Sequence, residues 1–222
     1  MVIKNLSRVP QQAHTAILLR HAAREQFSPG SFGNETNLTP AGVQAAEALG
    51  RKLRSRRPGR LMSSPLQRCI STVEALARSA GWDIPVELDD RLGAPGPFVV
   101  DADIAGPLFQ QYPLVEIVQR QLMIPTPLPG MRSTSIGVAL VIDLMLERLN
   151  VPGRLDVLVT HDIILAVVVG YLLETIFDET MMPDFLEGLI IWKKSTGLGA
   201  IWRHQAYDIP WPLHRDNDGL RL

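Results

Sequence analysis

The hydrophobic positions of this chain alternate between short continuous runs and longer stretches at helical spacing. Ala16-Ile-Leu-Leu-Arg20 is apolar up to its last residue, the pattern of a strand buried on both faces of a parallel sheet. Residues 21–37 are polar and loop-like, with Pro29, Gly30, Gly33 and Asn34. Thr39-Pro40 then supplies a hydroxyl cap and a first-turn proline to a helix. Val43, Ala46, Leu49 and Leu53 line one face of it, and Pro58-Gly59 is expected to end it. Arg60 to Ser63 predicts a second strand, Ser64-Pro65 the same cap for a helix to about Ala80, and Ile84 to Leu88 a third strand.

The texture changes at residues 93–130, where Pro95, Pro97, Pro107, Pro113, Pro125, Pro127 and Pro129 exclude one long helix. This stretch predicts an insertion over one end of the sheet, a cap of short helices over 93–134. A helix from about Ser135 to Leu149, a strand Asp156 to Thr160 and a helix from about Asp162 to Ile176 follow. Leu186 to Trp192 and Ala200 to His204, split by Ser195-Thr-Gly-Leu-Gly199, predict a closing hairpin. The alternation implies an α/β fold: one three-layer α/β/α sandwich over 1–222, with a mostly parallel central sheet and the inserted cap.

Composition narrows the classes. With 22 Lys+Arg against 23 Asp+Glu in 222 residues, bulk charge does not point to a nucleic-acid partner. A single cysteine, Cys69, excludes an internal disulfide framework and a Cys-rich zinc site. The first residues lack the apolar core of a signal peptide, and the longest apolar run, Ile163 to Leu173 between Asp162 and Glu174, is too short to span a bilayer. A cytoplasmic protein with no membrane partner is expected. The basic run Arg51-Lys52, Arg54, Arg56-Arg57 and Arg60 is read as a solvated helix C-terminus. His14, His204 and His214 have no carboxylate or histidine at metal-ligand spacing, so no metal is expected. Trp192 and Trp202 on the hairpin are read as packing residues, which if exposed would suit a homodimer.

Chemistry concentrates at two predicted strand ends. Leu19-Arg20-His21-Ala22-Ala23-Arg24 runs from an apolar strand into Arg, His and Arg, and Val159-Thr160-His161-Asp162 delivers His and Asp to a helix start. Ligands of open α/β sheets lie beyond the carboxyl ends of the strands. Arginine presents a fork of donors matched to phosphate oxygens, and a neutral imidazole attacks phosphorus when its other nitrogen is held. A carboxyl beside a bound anion is favoured in its acid form. Taken singly, His21 or His161 also fits a structural role, Asp162 a helix-start charge, and Arg20 and Arg24 surface ion pairs.

Leu18-Leu-Arg-His-Ala-Ala-Arg24 resembles the Arg-His-Gly-x-Arg signature of the histidine phosphatase superfamily, which includes phosphoglycerate mutases and histidine acid phosphatases. Asn37-Leu-Thr-Pro-Ala-Gly42 is similar to its Leu-Thr-x-x-Gly helix start. Ser63-Ser-Pro-Leu-Gln-Arg-Cys-Ile-Ser-Thr-Val-Glu-Ala-Leu76 resembles its Ser-Ser-Pro-x-x-Arg-x-x-x-Thr-Ala-Glu segment, and Val159-Thr-His-Asp162 supplies its second histidine. The resemblance implies His21 as the nucleophile that becomes phosphohistidine, with Arg20, Arg24, Arg68 and His161 forming the phosphate pocket and no cofactor or metal. In the mutase-like branch the proton donor is a Glu after the third strand, where this chain has Ala94. His-Asp at the second histidine is similar to the acid-phosphatase branch and implies Asp162 as the acid, with Asp89 and Asp90 in reserve. The glycine after the nucleophile is Ala22 here.

The function expected is a metal-independent phosphomonoesterase acting on a small phosphorylated substrate. The alternatives are a phosphomutase, or a phosphate-ester binding module on the same fold. Phe98, Val99, Val100, Ile104, Leu108, Phe109, Met123 and Ile124 of the insertion would line a pocket for a non-sugar ester or form the cap's own core. The insertion has few basic residues, Arg120 and Arg132 being the clear ones, which favours a monophosphate over a polyphosphorylated ligand.

Overall fold

The computed structural model describes residues 2–27, 33–175, 177–211, 214–216 and 219–221, the last two segments as backbone only. Pro29 and Gly30 of the expected loop, Ile176 at the expected helix end and the His214 side chain lie outside the described residues.

Strand β1 (Thr15–Arg20) is buried along its length except at Arg20, as its apolar run requires. It pairs in parallel with β4 (Arg154–Thr160), which pairs in parallel with β2 (Arg57–Ser63), and β2 with β3 (Val86–Leu88). On the other side of β1, strands β5 (Gly188–Lys194), β6 (Gly197–Trp202) and β7 (Gln205–Ile209) each run antiparallel to their neighbour. The seven-stranded order is therefore β3-β2-β4-β1-β5-β6-β7. A mostly parallel sheet is met only in its first half, because the chain after helix 162–172 enters β5 antiparallel to β1 and then joins β5, β6 and β7 by tight turns. A separate short hairpin joins β8 (His214–Asp216) to β9 (Gly219–Arg221).

Helices cover both faces. The side chains of β1 alternate between two cores, Ile17 and Leu19 toward one, Ala16 and Leu18 toward the other. The first core packs against α1 (Val2–Leu6), α2 (Pro40–Leu53) and α3 (Gln67–Ala80). The second packs against the cap helices α4 (Ala102–Gln111) and α5 (Leu114–Met123), then α6 (Thr134–Leu146) and α7 (Asp162–Leu172). The chain steps outward from β1 to β2 to β3 and then returns to β4. Right-handed crossovers place α2 and α3 on one face for the outward steps, and α6 on the other for the return. The C-terminal ends of β1 and β4 are thus neighbours from which the chain leaves toward opposite faces, where a crevice opens.

Several local expectations shift. Helix α2 ends at Leu53, and Pro58-Gly59 lies inside β2, where the pairing with β4 is irregular between Pro58 and Leu61. Arg60 is not part of a solvated helix end: it is buried, its Nε donating to Asp156 Oδ2 at 2.7 Å and its Nη2 to the Leu144 carbonyl at 2.9 Å. His14 Nε2 donates to Asp156 Oδ1 at 2.8 Å, so this buried carboxylate is held by partners from two other segments. Trp202 is buried in the core and Trp192 packs half-buried against the α1 face, so the two present no exposed pair. Helix α1 and strand β7 were not anticipated.

Candidate active site

His21 follows β1 directly. Its backbone N–H donates to the Thr160 carbonyl at 3.0 Å, which continues the β1–β4 ladder one residue past Arg20↔Thr160. The ring is buried, and its Nδ1 lies 2.8 Å from the Ala22 carbonyl. A carbonyl only accepts, so Nδ1 carries the proton and Nε2 keeps its lone pair. Burial, reinforced by Arg68 and Arg20, pushes the His21 pKa from 6.5 down to about 4 against the opposing pull of the Ala22 hydrogen bond and Asp162. The imidazole is therefore neutral at physiological pH.

The other motifs hold this segment. Thr39 caps α2 by accepting from Gly42 N–H at 2.9 Å, and its own N–H donates to the Ala23 carbonyl at 3.0 Å. A Cβ on Gly42 would come within 2.0 Å of that same carbonyl, so the helix start closes on the loop only with glycine there. From α3, Thr72 Oγ1 accepts the Ala22 N–H at 3.0 Å and donates to the Arg68 carbonyl at 2.7 Å. Ala22 has no positive φ, and its methyl is buried in a small cluster with Leu38, Ala46 and Ala75. Alanine in the usual glycine position is accommodated by packing, without left-handed backbone.

Arg20, Arg24 and Arg68 converge on the crevice. Arg20 Nη2 pairs with Asp162 Oδ2 at 2.7 Å, and its guanidinium lies 4.1 Å from the Phe185 ring centre. Arg24 stacks 3.3 Å above Phe27 and donates to the Glu25 carbonyl. Arg68, the second residue of α3, donates to the Gly33 carbonyl at 2.6 Å and to His161 Nδ1 at 3.2 Å. Burial, and the closeness of other guanidiniums, lower the pKa of Arg24 and of Arg68 from the usual arginine value. Three arginines against one carboxylate make the crevice a site for an anion.

His161 is engaged at both nitrogens. Because Nδ1 accepts from Arg68, Nε2 carries the proton, and it donates to Ser64 Oγ at 2.9 Å. Burial, then Arg68 and His21, hold its pKa well below 6.5. Its ring is 5.5 Å from that of His21. The Ser64 hydroxyl was expected to cap a helix; α3 instead begins at Gln67 with Leu66 at its cap position, and Ser64 serves His161. Gly93, with φ 138°, lies against His161, where a Cβ would meet Cδ2 at 2.4 Å. Buried Cys69 is 3.5 Å from His161 Nε2, and desolvation pushes its thiol up to about 12, which leaves it protonated and unreactive.

A cavity of about 580 Å³ is lined by His21, Arg24, Arg68, His161 and Asp162, together with Phe27 and Phe109. The structure thus brings five of the expected site residues to one surface, with Arg20 attached through Asp162. Asp162 is the first residue of α7, and its Oδ1 accepts the Ile163 N–H at 2.9 Å. The reserve carboxyls lie elsewhere: Asp89 caps a 3-10 turn (Asp90–Leu92) and is gripped by Arg91, and neither it nor Asp90 lines the cavity. Phe27, Phe185 and the Gly33 carbonyl were missed, since an aromatic or a backbone oxygen on an arginine carries no spacing signal. Ser64 lay within a recognised segment but was read for its local role. Among the described residues no group of three His, Cys, Asp or Glu is placed to hold a metal ion. Nor is any helix among them long and apolar enough to cross a membrane.

Residues 16–93 match the profile of the histidine phosphatase superfamily (branch 1). No curated protein matches the chain. Solved structures that share the fold include phosphoglycerate mutase from Bacillus anthracis (14% identity, 90% of this chain and 93% of that one, TM-score 0.58). Mycobacterial glucosyl-3-phosphoglycerate phosphatase aligns at 19% identity over 87% of this chain and 100% of that one, with TM-score 0.56. Bacillus stearothermophilus YhfR aligns at 19% identity over 87% and 98%, with TM-score 0.58. The matched segment carries β1, His21, Arg68 and the helix starts that clamp them, and the likeness in fold extends over about nine-tenths of the chain; residues 16–93 thus carry the profile of the histidine phosphatase superfamily, on a fold shared with these solved structures.

Proposed function

We propose that this protein is a metal-independent phosphomonoesterase that works through a phosphohistidine on His21. The observation that carries the reading is the His21 ring: buried, neutral, its Nδ1 proton fixed on the Ala22 carbonyl, and its Nε2 left as a nucleophile beside three arginines. Arg20, Arg24 and Arg68 bind the ester phosphate and offset charge on its equatorial oxygens. His21 Nε2 attacks phosphorus as the P–O bond to the leaving alcohol breaks, and Asp162 gives its proton to the departing oxygen. Water then attacks phosphohistidine, Asp162 takes a proton from it, the P–N bond breaks, and inorganic phosphate leaves with His21 neutral again.

His161 enters as a positioning residue, since its Nδ1 receives Arg68 and its Nε2 is tied to Ser64. The position expected to hold a mutase-type Glu is Ala94, which lines the neighbouring apolar cavity and brings no carboxyl to the phosphate site. That supports hydrolysis over phosphoryl return. The test is hydrolysis of p-nitrophenyl phosphate from pH 4 to 8 with EDTA present, beside His21→Ala and an acid-quench search for labelled phosphohistidine. Turnover and label that survive the chelator and vanish in the variant are expected. Turnover undiminished in His21→Ala, or lost to EDTA, overturns the reading.

A further inference from the structure

A second cavity, of about 480 Å³, adjoins the phosphate site, sharing Arg68, His161, Phe109 and Ile163 with it. It lies between the cap and α7, with walls of Phe98, Val99, Ala105, Phe109, Met131 and Val167. Arg68 and His161 are its ionisable lining residues, and both face the phosphate cavity as well. The cap's own cations do not reach it: Arg120 is bound to Glu116 at 2.6 Å, and Arg132 is not on its wall. A polyhydroxylated or charged alcohol would leave its hydration shell here with almost nothing to replace it.

Two amide side chains, Asn34 and Gln121, belong to the lining, Gln121 on the α5 side. Gln121 is 4% exposed and lines the cavity, and its Oε1 has no hydrogen-bond partner. The amide cannot be turned over to remove that defect, because Nε2 donates to the Arg132 carbonyl at 2.8 Å and a carbonyl cannot donate. That oxygen is itself fully enclosed, so a ligand in the cavity meets no free acceptor there and the α5 wall stays apolar.

Resting on the phosphatase reading above, we propose that the cavity takes the alcohol half of the ester, an apolar group without further hydroxyls or charge. The volume lies within the range of small-molecule sites, and the polar groups are few and placed, as orientation of a mainly apolar ligand requires.

The experiment measures binding without turnover, by calorimetry on wild-type protein. Methylphosphonate, alkylphosphonates up to octyl, and their ω-hydroxy counterparts serve as probes. Affinity is expected to rise about fourfold per added methylene until the cavity is filled. At one chain length the ω-hydroxy ligand should bind more weakly than its plain counterpart, because its hydroxyl gives up water with no acceptor to replace it. Affinity flat with chain length, or an ω-hydroxy ligand that binds tighter than its plain counterpart, overturns the inference.

Turnover is followed in parallel with hexyl phosphate, 3-phosphoglycerate and glucose 6-phosphate, hexyl phosphate being the expected substrate. Preference for either polar ester also overturns it. Flat binding with p-nitrophenyl phosphate still hydrolysed sinks the cavity inference alone. Rising affinity with no ester hydrolysed sinks the phosphatase reading alone.

Discussion

Arg20 and Asp162 form an ion pair at 2.7 Å across the seam between β1 and β4, one from a strand end and the other from the first turn of the next helix. The pair puts the proposed acid and a proposed phosphate-binding cation in one contact, so on this reading an arriving phosphate dianion competes with Asp162 for the same guanidinium. Asp162→Asn removes the proton donor. It is expected to slow alkyl esters by roughly 100-fold or more and p-nitrophenyl phosphate by less than about tenfold, because only a poor leaving group needs the proton. The check is kcat for the two esters side by side; equal losses would remove Asp162 from the acid role.

The depressed pKa of His21 sets a pH dependence with a definite sign. Between about 4 and 6.5 the ring is neutral in the folded chain and protonated in the unfolded one, so the unfolded state binds more protons. Stability is fully present above 6.5 and falls as the pH drops toward 4, with His161 acting in the same direction. Urea midpoints at pH 7 and pH 5 should show the decline, and His21→Gln should reduce it. The nucleophile's limb in kcat/KM should lie near pH 4; a midpoint at 6.5 would contradict the buried neutral ring.

Arg68 donates both to the Gly33 carbonyl and to His161 Nδ1, a geometry that a fork of donors meets and a single ammonium does not. Arg68→Lys is expected to lower affinity for inorganic phosphate and vanadate by about 10- to 100-fold, the range for losing charge-assisted hydrogen bonds. Titration of each anion, with circular dichroism as the control for folding, tests this. Unchanged affinity would take Arg68 out of the phosphate pocket.

At the opposite end of the same strands, Asp156 is fully buried and compensates Arg60 while accepting from His14. Asp156→Ala strands a buried guanidinium and is expected to destabilise the fold by about 3–5 kcal/mol. Urea denaturation measures the loss. Esterase activity per folded molecule should be unaffected, since none of these three residues lines either cavity.

The site was legible because each of its side chains is attached to a local signal. His21 and His161 end apolar runs, Arg68 stands a fixed distance after a strand, and Thr39-x-x-Gly42 marks a helix start. What the motifs do was less legible. Thr72 and Gly42 clamp the backbone beside His21, and Ser64 holds His161, contacts that join residues far apart in the chain. Local propensity reports what a residue does to its own neighbours, so Ser64 was read as a cap and Arg60 as one more solvated cation.

By itself, the order of apolar runs and helix starts determined the layered α/β architecture, the strand-end histidines and the Pro-broken cap, because periodicity and chain breaking act over a few residues. Only the tertiary structure decided the antiparallel half of the sheet, the tautomers of His21 and His161, the Asp156 network and the apolar cavity under the cap. Each of these depends on which atoms meet across the fold. Hydrogen-bond satisfaction and burial are properties of such meetings, and no single segment carries them.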